Sequence, residues 1–331
     1  MIFADSTVTD PAQAWSLAVL MFFIGASIGS FLNVVVYRVP AGMSIVRPGS
    51  RCPNCRTPIR STDNLPIIGW LRLRGRCRSC GEPIARRYPL VELCTAVMFF
   101  VLAWLEWPAG GVNLPGPSLD ETQRYGMFAY HAALVCLLLV ATLVEYDGHA
   151  VPKLMAVVGL GAILLGGAWP MLHPVSPPFS AMRELVTGPP RVIGLADGMG
   201  GWLAGIVMGC LASPVTDRGP SGAVGRNTAI LAMAVTGAFL GWQALAALAA
   251  ASVLVYAVAV MYRPAWRRLA GIPYSGVLFA LVFAWLCGWR EIVERWPRLG
   301  SEADHWTIGI AGLAAVGAAA TAHAVSRTKV I

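Results

Sequence analysis

Long apolar runs alternate with short polar stretches along this chain, and the runs have the length of bilayer crossings. A hydrocarbon core of roughly 30 Å takes about 20 apolar residues as a helix. By that measure the pattern predicts nine spans, at residues 15–37, 89–107, 126–144, 154–172, 193–212, 228–245, 246–261, 272–289 and 308–324. The sixth and seventh form one continuous apolar run, "TAILAMAVTGAFLGWQALAALAAASVLVYAVAVMY", too long for a single crossing. It is expected to fold as a hairpin near Gly241 and Trp242. The predicted fold is an all-α polytopic membrane protein of about eight or nine transmembrane helices.

Composition changes little in that picture. The 331 residues are 56% hydrophobic and 13% charged, against about 25% charged in soluble domains. Charge adds orientation. The formal net charge of +8 could suggest nucleic acid, but eleven arginines lie between Arg38 and Arg87, beside the first span. The positive-inside rule accounts for them without a nucleic-acid partner. It makes the 38–88 loop cytoplasmic and the N-terminus external, and the basic stretches "YRPAWRRLAG" and "SRTKVI" then also fall inside. The loop "REIVERWPRLG" runs against the rule. The N-terminal "MIFADSTVTDPAQAW" has no basic n-region, so no cleaved signal peptide is expected.

The basic loop carries two Cys-x-x-Cys pairs, Cys52/Cys55 and Cys77/Cys80. This is the spacing of a four-thiolate zinc site, closed and therefore structural. Each turn presents two sulfurs to one edge of a tetrahedral ion, and neighbouring arginines favour thiolates. Paired disulfides or free thiols are the alternative, disfavoured in a reducing compartment. Cys94, Cys136, Cys210 and Cys287 fall inside spans and read as small core residues.

Four segments around these cysteines carry a recognisable pattern: "GSFLNVVVYRVP" (29–40), the two cysteine turns, "NLPIIGWLRLRGRC" (64–77) and "RYPLVELCTA" (87–96). They closely resemble the N-terminal half of the type IV prepilin peptidase/N-methyltransferase family. Further on, "VEYDGHAVP" (144–152), "GAFLGWQAL" (237–245) and "GIPYSGVLFAL" (271–281) resemble family segments in order and spacing. The resemblance implies a bacterial inner-membrane enzyme. Such an enzyme cleaves the basic leaders of type IV pilin-like precursors at the cytoplasmic face, then methylates the new N-terminus from S-adenosylmethionine. It also implies that Asn33, Arg38 and Glu92, at the membrane–loop junction, help hold substrate or methyl donor; Arg38 and Glu92 could instead form a buried ion pair. No glycine-rich nucleotide fingerprint is present, so the methyl donor rests on the resemblance alone.

Family proteolysis uses two aspartates that share a proton, one activating water while the other protonates the scissile carbonyl. The position of the first is Glu145, which keeps the acid but adds a methylene; Asp147 matches an accessory acid. The structural alternative is that both are interfacial residues ending the third span. The second family aspartate belongs to a Gly-x-Gly-Asp motif, and counting back from Trp242 reaches "GRNTAIL" (225–231), which holds no acid. Asp217, in "SPVTDRGPSG", lies in the right loop and is the candidate partner, though a solvated loop charge beside Arg218 is the simpler reading. Asp197, in "GLADGMGG", opens the following span on the opposite face, and "LADGMGGWLAG" reads as a small-residue packing helix with Gly198, Gly201 and Gly205. A lone His149 in a polar turn reads as structural or exposed.

The expected organisation is an N-terminal domain at 1–107, a peptidase-like helical domain at 108–290 and an extra span and tail at 291–331. Two functional readings follow: a leader peptidase, and a catalytically degenerate paralogue that binds pilin-like or other membrane partners without hydrolysis. A small-solute transporter is disfavoured because midplane charges and internal repeats are lacking.

Overall fold

The computed structural model describes residues 11–106, 121–168, 190–217, 221–261, 272–288 and Gly317. Among them the fold is α-helical, with two isolated β-bridges and no strand. The helices are α1 (Pro11–Arg38), α2 (Ile68–Arg72), α3 (Arg87–Glu106), α4 (Glu121–Tyr146), α5 (Leu154–Ala168), α6 (Pro190–Thr216), α7 (Gly222–Met261) and α8 (Tyr274–Cys287). A 3-10 turn, Ser61–Asp63, precedes α2. Five stretches, Trp15–Arg38, Arg87–Glu106, Arg124–Tyr146, Gly194–Thr216 and Gly222–Trp242, are long and apolar enough to cross a membrane. The chain is a multi-pass membrane protein. The ninth predicted span, 308–324, lies outside the described residues apart from Gly317.

The chain divides into two compact units, Met1–Val112 and Asn113–Ile331. In the first, α1 and α3 pack through a stripe repeating every four residues. A Cβ at Gly25 would stand 2.7 Å from Phe99 Cβ, and one at Gly29 would stand 2.8 Å from Glu92 Cα. Lipid gives apolar helices no hydrophobic reason to associate, so close backbone approach through small residues does that work.

The second unit uses the same device. Gly201 lies against the backbone of Gly237, Gly205 against Met233 and Ala234, and Gly209 against Ile230. As residue numbers rise on α6 they fall on α7, so the helices are antiparallel. Gly201 and Gly205 make the close approach expected of them; Gly198 faces α5 instead, at ordinary contact distance from Ile163.

α7 breaks at Gly241, whose φ of 79° and ψ of 167° are not helical. The left-handed φ suits a residue without a Cβ. Leu245 packs on Gly237, eight residues earlier, whereas a straight helix would hold them about 12 Å apart. The long apolar run therefore turns back on itself at Gly241, as its length predicts. Ser252 in the returning arm meets Tyr274 at the start of α8, hydroxyl to hydroxyl at 2.6 Å.

Candidate metal centre and membrane carboxylates

The two cysteine turns are copies of one another. Residues 51–59, "RCPNCRTPI", and 76–84, "RCRSCGEPI", fold alike. In each, the first cysteine's N–H bonds a carbonyl across the turn, Thr57 O at 3.0 Å and Glu82 O at 2.8 Å. Each is closed by an antiparallel bridge, Arg51 to Pro58 and Arg76 to Pro83. The residue after the second cysteine takes a positive φ: 73° at Gly81, and 57° at Arg56, which lacks glycine's freedom.

The turns bring the four sulfurs together. Cys52 and Cys80 Sγ are 3.8 Å apart, Cys55 and Cys77 Sγ 4.0 Å, and all four ligand atoms lie within 4.8 Å of one another. A tetrahedral ion with bonds of about 2.3 Å needs edges of about 3.8 Å. The donor set and its spacing fit a metal ion of that kind. The hydroxyl and N–H of Thr57 hold the Cys55 thiol down at about 6, favouring the thiolate.

The linker between the turns is tied to the second. Arg78 donates to Asp63 through Nε at 2.7 Å and Nη2 at 2.5 Å, and the Asp63 side chain is only 3% exposed. The guanidinium holds the Asp63 carboxyl below its usual range. Trp70 donates from Nε1 to Ile84 O at 3.0 Å.

Asn33, Arg38 and Glu92 serve the framework at this junction. Asn33 donates to Tyr88 O at 3.2 Å, joining α1 to α3. Glu92 accepts from the N–H of Ile67 at 2.6 Å, holding the loop onto α3. Arg38 donates from Nη1 to Ser44 O at 3.0 Å, a bond to the loop backbone.

In the second unit, Glu145 is 1% exposed at the last turn of α4. Its carboxylate accepts from Ser275, through the N–H at 3.3 Å and the hydroxyl at 2.5 Å. The first N–H groups of a helix lack internal partners and favour an anion. No side chain of α8 itself caps this end, since its N-cap residue is Pro273; Glu145 supplies the carboxylate from α4. A Cβ at Gly225 would stand 3.0 Å from Glu145 Oε1 and 3.5 Å from Thr216 O. The end of α4, the end of α6 and the starts of α7 and α8 therefore meet at one acid.

Asp217 follows Thr216 directly. Its Oδ2 accepts from Arg226 at 3.3 Å, while its Oδ1 is buried with no hydrogen-bond partner among the described residues. Asp147 is exposed just beyond α4, which closes through the N–H groups of Gly148 and His149 bonded back to Glu145 O and Val144 O. His149 is exposed too. Asp197 is 8% exposed at the other end of this unit. Its Oδ2 lies 2.6 Å from where a Cβ of Gly241 would be, and it acts electrostatically on Tyr130. Tyr130 and Glu145 are about 22 Å apart along α4. The fold does not bring Asp197 to Glu145.

Sequence reasoning missed Ser275 and Ser221, the latter with its hydroxyl 3.5 Å from Glu145 O. A serine inside "GIPYSGVLFAL" has no motif signal. The available hint was its place two residues after a proline that starts a helix.

Comparison with known proteins gives the lineage. Residues 23–106 match the Bacterial Peptidase A24 N-terminal domain. The chain is 57% identical over 83 residues to a prepilin leader peptidase/N-methyltransferase of Myxococcus xanthus, covering 25% of each. It is 33% identical over 212 residues to a type 4 prepilin-like proteins leader peptide-processing enzyme of Escherichia coli, covering 58% of this chain and 70% of that one. It is 30% identical over 280 residues to a prepilin leader peptidase/N-methyltransferase of Dickeya chrysanthemi, covering 78% and 84%. The chain thus spans only a quarter of the Myxococcus relative, and 44% of one from Klebsiella pneumoniae. No solved structure matches it. The similarity across four fifths of the Dickeya protein, beside the cysteine turns and the Glu145 junction, places the chain in the prepilin leader peptidase/N-methyltransferase family.

Proposed function

We propose that this protein is a leader peptidase of a bacterial inner membrane, cutting type IV pilin-like precursors at the cytoplasmic face. The observation that carries the reading is Glu145, a buried acid where four helix ends converge. A peptide entering there would meet a carboxylate held by Ser275. Of Glu145 and Asp217, which lie at the same end of the unit, the ionised one takes a proton from water, which attacks the scissile carbonyl, and the other, protonated, gives a proton to the carbonyl oxygen. The buried Oδ1 of Asp217, without a hydrogen-bond partner among the described residues, supports its place in the pair. Asp147, exposed beside them, is the accessory acid. In this reading the N-terminus is external and the cysteine loop cytoplasmic.

The four cysteines hold zinc as a structural ion, which fixes the loop between α1 and α3 and takes no part in hydrolysis. N-methylation from S-adenosylmethionine is supported by the relatives' names alone. Asn33, Arg38 and Glu92 would contribute by holding the loop in shape around the substrate.

The test is cleavage of a co-expressed pilin-like precursor in membranes. Wild type cuts the leader and Glu145→Gln does not, with metal content unchanged. A wild type that cuts no precursor would favour the non-hydrolytic paralogue, in which Glu145 serves only to cap α8.

A further inference from the structure

We propose that the face of the cysteine loop formed by Leu65, Ile68 and Leu71 is a membrane-surface anchor that inserts among anionic phospholipid headgroups. These three aliphatic side chains are 48%, 56% and 61% exposed and recur every three residues along α2 and the turn before it. The opposite face is settled. Gly69 packs on the backbone of Asp63, and Trp70 bonds Ile84 and lies beneath Gly75. A water-facing surface seldom gathers aliphatics in this way without something to cover them.

Depth and charge identify the cover. The N–H of Ile67 is bonded to Glu92 at 2.6 Å, and Glu92 lies five residues into the membrane-length helix Arg87–Glu106. Five residues of α-helix are about 7.5 Å, within the roughly 5–10 Å to which interfacial helices bury an apolar face. At the same level Leu90 and Leu93 of α3 are 61% and 42% exposed, as lipid-facing residues of a span are. α2 therefore lies beside the first turns of a span. Exposed Arg60, Arg72 and Arg74 flank the aliphatic face, and arginines at a membrane surface attract anionic headgroups. The chemistry is that of an amphipathic anchor held between two spans.

The inference rests on the chain lying in a bilayer and is independent of cleavage. The experiment uses the full chain in nanodiscs of phosphatidylglycerol and phosphatidylethanolamine, with a benzophenone amino acid at Ile68, Leu71 or, as control, Asn54. Illumination should give lipid adducts at 68 and 71 and none at 54. Arg72→Gln and Arg74→Gln, added to the Leu71 probe, should each lower the ratio of phosphatidylglycerol to phosphatidylethanolamine adducts about fivefold. Adducts at 68 and 71 with peptides from residues 113–331 or with another polypeptide, in place of lipid, would overturn the proposal. So would absence of lipid adducts at both positions, or a ratio unmoved by the arginine changes.

Discussion

Glu145 at the end of α4 caps the start of α8 by accepting both the N–H and the hydroxyl of Ser275, at 3.3 and 2.5 Å. The family's shorter acid could not reach as far from the same backbone position. The extra methylene is thus matched to a partner on another helix. The acid is held as a structural cap, and this role separates under substitution from the catalytic one proposed for it.

Glu145→Gln keeps the side chain's length but removes the carboxylate; leader cleavage should be abolished, with loss of at least about a hundredfold. Glu145→Asp should retain cleavage but lower the unfolding midpoint, because its carboxylate withdraws from Ser275. Ser275→Ala removes one charge-assisted bond and should destabilise by about 1.5–3 kcal/mol. Thermal unfolding in detergent beside a membrane cleavage assay reads both effects. Normal cleavage by Glu145→Gln would remove Glu145 from the chemistry.

The metal centre predicts a separate loss. Purified protein should carry about one zinc per chain. Cys52→Ser with Cys55→Ser should release it and open residues 51–81 to protease, while α1 and α3 remain packed through Gly25 and Gly29. Elemental analysis and limited proteolysis measure this; wild-type protein without stoichiometric metal would refute it.

The two cysteine turns differ at one strained position. Arg56 takes a φ of 57° where the second turn has Gly81 at 73°. A left-handed non-glycine residue costs about 1–2 kcal/mol, partly offset because glycine gives the unfolded chain more freedom. Arg56→Gly should therefore stabilise the loop by up to about 1 kcal/mol, and Gly81→Ala should weaken it by a similar amount. Metal retention against a competing chelator ranks the three proteins: Arg56→Gly, wild type, Gly81→Ala.

Orientation can be tested directly. Arginines between the first two spans predict a cytoplasmic loop. A reporter fused near Gly75 should read cytoplasmic and one near Gly116 external. The reverse result would place the cysteines in an oxidising compartment and restore disulfides as a reading.

Much of the fold was legible because bilayer crossings are written in lengths of apolar sequence. The turn at Gly241 followed from a run too long for one span, and the metal cluster from two cysteine pairs. The contacts between spans were less legible. Gly201 and Gly205 followed from small-residue spacing, but Gly198 points to α5, a difference of one helical step that composition does not encode. The partner of Glu145 was not legible at all. Ser275 is 130 residues away, and only the packing of α4 against α8 makes it a neighbour. Likewise the backbone bonds of Asn33, Arg38 and Glu92 arise from how α1, α3 and the loop meet.

The stripe on α6 predicts where the second unit resists change. Asp197, Gly201, Gly205 and Gly209 repeat every four residues and meet Gly241, Gly237, Met233 with Ala234, and Ile230 on α7. A Cβ at Gly201 would overlap the carbonyl of Gly237, which is backbone and cannot move aside as a side chain would. Gly201→Leu should therefore force α6 and α7 apart, at a cost of about 1–3 kcal/mol or more. Gly161→Leu on α5 is the control, since a Cβ there meets nothing within 4 Å. It should be neutral or stabilising, because glycine is a poor helix former. Asp197→Asn keeps the shape beside Gly241 and, acting on Tyr130, which is about 22 Å from Glu145 along α4, should leave cleavage unchanged. Loss of cleavage in Asp197→Asn with an unaltered unfolding midpoint would show that the acid far from Glu145 takes part in the reaction after all.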